Sequence, residues 1–179
     1  MKEGEKVEIR LLVKQAKKGD KEALLRLVMA EKDEYYKLAY IYLKNEDDAM
    51  DAMQDMIIKL YENISKLRKE ESFYSWSKTI LVNECKGKLR IRKKVVFLDN
   101  MEEEAIEETY DKSEDKIVLE KYLCKLNEKH KEIIKLRYLL DLDYDTISEI
   151  LEIPLGTVKS RLSIGMEKLR KIIGGDIDG

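Results

Sequence analysis

Residues Tyr144 to Ile173 read YDTISEILEIPLGTVKSRLSIGMEKLRKII. The spacing predicts two helices joined by a tight turn. The first carries Ile147, Ile150 and Leu151 on one face. The second carries Val158, Leu162, Met166 and Leu169 at intervals of four, four and three, a single helical stripe. Pro154 stands where the second helix should begin, because a missing N–H is harmless in a first turn. Lys159, Ser160, Arg161 and Ser163 fall between the stripe positions and are expected to face outward. Such a helix can pack one side on its partner and place the other in a major groove, where lysine and arginine meet phosphates and guanine edges. An ordinary helical hairpin with a solvated basic face fits this segment as well.

The 179-residue length suits one domain or two small ones. Charged residues make up 40% and there is one proline, which favours helix over sheet. A net charge of -2 argues at first against a nucleic-acid partner, but the average hides segregation. Ser65 to Lys94 holds ten Lys or Arg against three Glu, whereas Val95 to Asp115 holds nine acids against Lys112 alone. Blocks of opposite sign point to separate surfaces with separate partners. Cys85 and Cys124 lie in helical segments without metal-type spacing and read as reduced, buried or half-buried thiols; no metal or cofactor is expected. No run approaches the ~18 apolar residues of a membrane span, and no signal-peptide core opens the chain. A soluble, cytoplasmic protein is expected.

Toward the N-terminus, a charged tail leads into a helical patch around Ile9, Leu12 and Val13. Gly19 ends it and Asp20 can cap the next helix. Lys21 to Lys44 carries an apolar face suited to two helices or one bent helix. Its tyrosines (35, 36, 40 and 42) read as core packing with hydroxyls at the rim rather than a stacking platform. Asn45 opens a helix with apolar Ala49, Met53, Met56, Ile57, Leu60 and Ile64. Asp51 and Asp55, four apart with Gln54 beside them, put like charges on one face, which costs a few tenths of a kcal/mol unless a basic surface offsets it. General acid–base catalysis is discounted there, because no histidine, glycine loop or nucleophile joins the carboxylates. Ser65 to Tyr74 reads as a basic loop, and Phe73 to Lys94 as a helix with Trp76, Ile80, Leu81 and Leu89 on its core side. Aromatics beside basic residues suit single-stranded nucleic acid, although a lone Trp76 is more often core. Asn83 can read a base edge or satisfy backbone. The acidic block has no stripe and reads as a linker. Helix returns from Asp115 to Tyr138, with His130 expected at the surface or a helix end.

With these pieces in order, the chain resembles a bacterial RNA polymerase sigma factor of the extracytoplasmic-function branch over about residues 11–173. The resemblance rests on DDAMDAMQDMIIKLYENI, on FYSWSKTILVNECKGKLRIRKK, on the acidic linker and on LRYLLDLDYDTISEILEIPLGTVKSRL, whose GTVKSR core is the most specific part.

What the resemblance implies is an all-α protein of two small helical domains joined by an acidic flexible linker, the second domain a helix-turn-helix. Sigma region 2 would span residues 10–94, the linker 95–114 and sigma region 4 residues 115–173. Asp51, Gln54 and Asp55 would dock on the clamp helices of the polymerase beta-prime subunit. Lys66, Arg68, Lys69, Phe73, Trp76, Asn83, Lys86 and Arg90 would face the minus-ten element, where a base is flipped out as the duplex melts. Tyr144, Asp145, Thr157, Lys159, Ser160, Arg161 and Ser163 would contact the minus-thirty-five duplex. Residues around Ile133 to Leu140 would pack on the beta flap, and acids between Asp99 and Glu108 would mimic nucleic acid near the active site. An anti-sigma factor, membrane-anchored or not, would cover the polymerase-binding faces. No small-molecule substrate and no enzymatic activity are implied.

Two features depart from the family. Ile164, Gly165 and Met166 stand where members often carry two arginines. Glu152 stands where the turn often holds glycine, a strained choice if that position is left-handed. A conventional helix-turn-helix repressor or activator, acting without polymerase, remains the alternative; an enzyme lacks any assembled site.

Overall fold

The computed structural model describes residues 3–99 and 114–177, and every regular element among them is helical. The chain divides into two compact units between Glu104 and Ala105.

The first unit holds α1 (Glu3–Lys17), α2 (Lys21–Ala30), α3 (Lys32–Leu43), α4 (Glu46–Asn63) and the long α5 (Phe73–Asp99). Its breaks follow local chemistry. Gly19 takes a left-handed φ of 94°, and the Asp20 carboxylate accepts from the Ala23 N–H at 3.0 Å to cap α2. Lys44 ends α3 at a left-handed φ of 55°, and Asn45 caps α4 by accepting from the Asp48 N–H at 2.9 Å. The Lys21–Lys44 region is thus two helices, broken at Glu31, which leaves helical geometry with φ -119° and ψ 24°. Tyr35, Leu38, Met56, Leu60, Phe73 and Leu81 are almost fully buried where α3, α4 and α5 meet, as is Leu27 on α2. Each such side chain contributes roughly 1.5–3 kcal/mol by leaving water.

Tyr35 is a correction to the rim reading. Its ring and hydroxyl are both buried, with the oxygen 2.6 Å from Ser77 Oγ of α5. Burial holds its pKa above the ordinary tyrosine value.

The second unit holds α6 (Glu114–Cys124), α7 (Glu128–Ile134), a π-helical turn (Lys135–Leu139), α8 (Tyr144–Leu151) and α9 (Leu155–Ile177). Asn127 breaks α6 from α7 and caps the latter, accepting from the His130 N–H at 3.1 Å. Leu123, Ile133, Leu136, Ile147, Ile150 and Val158 form its core. His130, expected at the surface or a helix end, stands in the first turn of α7 but is buried at the α7–α9 contact, and its Nδ1 has no hydrogen-bond partner among the described residues. Gly165 is the reason: a Cβ there would lie 3.1 Å from both His130 Cβ and Ile134 Cδ1, so the two helices approach at backbone distance.

Of the expected linker, residues 95–99 continue α5 and Glu114 opens α6; the intervening acids lie outside the described residues.

Candidate functional site

On α4, Asp47, Met50, Asp51, Gln54, Ile58 and Tyr61 recur every three or four residues and are all exposed, opposite the buried Ala49, Ala52, Met53, Met56 and Leu60. The face is acidic and apolar together, with Met50 at 42%, Ile58 at 57% and Tyr61 at 48% exposure. Asp55 lies on its flank, half-buried, with its carboxylate 3.2 Å from the Lys88 amine of α5. That pair supplies some of the counter-charge that the Asp51–Asp55 spacing asks for, from within the chain. Lys59 makes a second tie to α5, at Glu84.

The turn from α4 to α5 is more ordered than a basic loop. It folds as two single 3₁₀ turns, Ile64–Lys66 and Glu70–Ser72, with Leu67 buried between them. Glu70 pairs with Lys17 of α1 at 2.9 Å, a hydrogen bond that holds its carboxyl below the usual range, and Glu71 pairs with Arg10. These anchors leave Lys66, Arg68 and Lys69 exposed. On α5, Asn83, Lys86 and Arg90 are exposed at spacings of three and four, with half-buried Trp76 two turns before Asn83 on the same side. The Lys86 amine lies 6.0 Å from the centre of the Tyr42 ring. Burial pushes the Cys85 thiol up to about 12, which removes it as a nucleophile, whereas Cys124 is exposed.

In the second unit the helix-turn-helix is closed by its own backbone. Asp143 caps α8, accepting from the Thr146 N–H at 2.7 Å, and this bond holds its carboxyl below the ordinary value. Glu152 adopts the left-handed conformation, φ 53° and ψ 42°, and the Ser148 hydroxyl donates to the Ile153 carbonyl at 2.6 Å. The Pro154 carbonyl then accepts from Thr157 and Val158 at 2.8 and 3.1 Å, so Pro154 flanks α9 one residue before its start. On α9, Lys159, Ser160, Ser163 and Ile164 are exposed, while Val158, Leu162, Gly165 and Leu169 are buried. The Arg137 guanidinium stacks 5.6 Å from the Tyr144 ring and donates to the Leu142 carbonyl at 3.0 Å, fixing the approach to α8.

Residues 27–95 match the family described as sigma-70 region 2, and residues 122–171 match sigma-70 region 4. The chain is 32% identical to the ECF RNA polymerase sigma factor SigW of Bacillus subtilis (strain 168), over 91% of this chain and 95% of that protein. It belongs to the extracytoplasmic-function branch of the sigma-70 family. The RNA polymerase sigma factor SigV of the same organism is also 32% identical, over 86% of this chain and 93% of its own length. A solved structure of CnrH in complex with the cytosolic domain of CnrY shares the fold, with a TM-score of 0.71 at 19% identity, covering 94% of this chain and 99% of that one. Members of this family are transcription initiation factors.

In this sigma factor the residues expected on the surfaces fall unevenly. Asp51 and Gln54 share the outward stripe of α4, and Asp55 borders it. Lys66, Arg68, Lys69, Asn83, Lys86 and Arg90 are exposed, with Trp76 partly so. Phe73 is a correction: its ring is fully buried, its centre 6.4 Å from that of Trp76, and it presents no exposed face. Tyr144, Asp145, Lys159, Ser160 and Ser163 are exposed and Thr157 is half-buried. Arg161 is half-buried on the flank of α9 beside His130, whose imidazole is held below its ordinary value by burial first and then by the charges of Lys168 and Arg161. The flap expectation narrows likewise: Ile133, Ile134 and Leu136 are core, and Tyr138 and Leu139 are the exposed apolar groups there. Met50, Ile58 and Tyr61 escaped the sequence reading, although each falls off the α4 core stripe, which is the signal that finds them. Among the described residues no cluster of three His, Cys, Asp or Glu is arranged to hold a metal ion, and no helix is long and apolar enough to cross a membrane.

Proposed function

We propose that this chain is an alternative sigma factor that docks on core RNA polymerase through the outward face of α4 and directs it to promoters through α5 and the α8–α9 hairpin. The observation that carries the reading is the pairing of opposite surfaces within one helical unit: an acidic and apolar stripe on α4, and a basic stripe on α5. The order of the matched regions supports regions 2 and 4 at about 10–94 and 115–173, with a linker over 95–114.

In this reading Asp51, Gln54 and Asp55, joined by Met50, Ile58 and Tyr61, meet a basic and apolar surface of the beta-prime clamp helices. Lys66, Arg68 and Lys69 on the anchored turn, with Asn83, Lys86 and Arg90 on α5, track the backbone and a base of the melted minus-ten strand, and Trp76 supports them from behind. Lys159, Ser160 and Ser163 enter the major groove of the minus-thirty-five element, with Arg161 at its edge and Tyr144, Asp145 and Thr157 toward the backbone. Tyr138 and Leu139 offer the apolar contact for the beta flap. The protein performs no chemistry itself and needs no cofactor; it lowers the barrier to melting by binding the extruded strand. It works where the polymerase is, in the cytoplasm.

An anti-sigma factor, free or membrane-anchored, is the proposed regulator. The complex of CnrH with the cytosolic domain of CnrY supports this only as a precedent in fold; the exposed apolar groups of α4 are the surface such a competitor would cover. Transcription in vitro with core polymerase and a genomic promoter library tests the proposal. Initiation that depends on this protein is expected. No initiation from any promoter refutes it, and tight duplex binding indifferent to core enzyme would instead favour a free-standing repressor or activator.

A further inference from the structure

The recognition helix carries one exposed apolar side chain that neither the fold nor the proposed contacts use. Ile164 is 45% exposed on α9. Its neighbours one turn away on either side are Ser160, Arg161, Glu167 and Lys168, all polar or charged, so its apolar surface stands alone. A single side chain falls far short of the several hundred Å² that mark a protein-binding patch. It suits contact with one small apolar group.

Its direction is fixed by the residue that follows. Gly165 seats α9 on α7 so closely that a Cβ would meet His130 and Ile134 at 3.1 Å, and a roll of α9 about its axis would break that contact. The β-branched side chain has one strongly preferred rotamer in a helix, so its methyls are positioned before any ligand arrives. Ser160 and Ser163 are short and let the α9 backbone come close to a groove floor. One turn onward, Glu167 is paired with Lys171 at 2.7 Å, which offsets part of its negative charge. The apolar feature of a major groove is the 5-methyl group of thymine.

We propose that Ile164 is a specificity-determining residue of this sigma factor, meeting the 5-methyl group of a thymine in the minus-thirty-five element. The inference rests on the promoter-binding role of α9 proposed above. It makes this chain select an A·T pair at the position that Ile164 reaches, and the selection is by an apolar contact rather than by hydrogen bonds.

The test uses holoenzyme assembled from the full chain and core polymerase, on a promoter recovered from the genomic library. Each thymine of the minus-thirty-five element, on both strands, is replaced singly by deoxyuridine, which removes only the methyl group. At one position the wild-type rate of open-complex formation should fall about fourfold, the factor for one methyl-sized group withdrawn from water. The Ile164→Ala holoenzyme should be indifferent at that same position, and an unchanged melting temperature will show that this exposed substitution leaves the fold intact. Equal sensitivity of both proteins to every deoxyuridine overturns the proposal, as does an element with no A·T pair. Failure of the wild-type protein to initiate anywhere overturns the sigma-factor reading itself, and this inference with it.

Discussion

Replacing Asp51 and Asp55 by asparagine separates docking from folding on α4. Asp51 is exposed between Met50 and Gln54, whereas Asp55 is 45% exposed and sits 3.2 Å from the Lys88 amine. In the free protein, Asp51→Asn removes nothing that the fold uses. Asp55→Asn gives up one half-exposed ion pair, worth at most about 0.5–1 kcal/mol once solvent screening is counted. The melting temperature should therefore move by no more than a few degrees. In the docking proposed above the same carboxylates press against a basic partner, and truncating one member of a desolvated charge pair costs about 2–5 kcal/mol. The lower figure already raises Kd roughly 30-fold. Asp51→Asn should show that full loss. Asp55→Asn should show less, because Lys88 neutralises part of its charge in advance, and the double variant should be less than additive because the two sites are neighbours. Titrating fluorescently labelled protein with core polymerase at low and physiological salt measures the effect, with circular-dichroism melting as the control. Wild-type affinity of the double variant at both salts would refute the assignment of this face to polymerase.

The buried hydroxyl pair gives an asymmetric prediction. Tyr35→Phe leaves Ser77 Oγ still donating to the Tyr74 carbonyl at 3.0 Å and should cost about 1 kcal/mol, whereas Ser77→Ala strands a buried phenol and should cost about 1–3 kcal/mol by urea unfolding. His130 is held below its ordinary value of 6.5 by burial and by Lys168 and Arg161. A folded pKa below the unfolded one gives stability that is full above about pH 6.5 and lost as pH falls through the folded value. Melting of the second unit should decline across that window, and His130→Gln should flatten the decline. Glu152→Gly should raise the melting point of the same unit, since relief of about 1–2 kcal/mol of left-handed strain exceeds the added freedom of the unfolded chain. Lys159→Ala should cost about 1–3 kcal/mol of duplex binding and relax specificity at the base pair that the lysine reaches in the groove, measured by binding to a set of single-pair variants of the element.

Much of this was legible because helices advertise one face. The Val158–Leu162–Leu169 stripe, the α4 core positions and the Asp20, Asn45 and Asp143 caps are local signals, and local interactions decide them. What escaped was set by distant partners. Phe73 and Trp76 look alike beside a basic run, and only packing against the first unit's core puts Phe73 inside and leaves Trp76 half out. His130 sits in the charged run NEKHKEII and reads as surface; Gly165, thirty-five residues on, lets α9 close over it. The π turn at Lys135–Leu139 has no glycine or proline to announce it. Arg161 shares the outward-looking GTVKSR run with Lys159, yet two residues turn a helix by about 200°, and that rotation carries it to the flank beside His130.

The two faces of the first unit are useful only at a fixed distance from each other. In the proposed arrangement, polymerase bound on α4 can bring its binding energy to bear on a strand held by α5 only if the helix pair does not yield between them. The interface is built accordingly: Met56, Leu60, Leu81, Val82 and Cys85 fill it without exposure above a few per cent, and the Asp55–Lys88 and Lys59–Glu84 pairs brace its edge. The anchored turn adds a third constraint, because Glu70 and Glu71 fasten it to α1 while Leu67 plugs the core beneath. Cutting these fastenings with Glu70→Gln and Glu71→Gln removes the two ion pairs to α1 and leaves every charge of the two faces in place. Core binding should then be unchanged while open-complex formation slows several-fold, since Lys66, Arg68 and Lys69 must be ordered anew each time the strand is captured. If melting kinetics on a promoter template match the wild type, the turn's order is incidental and strand capture depends on α5 alone.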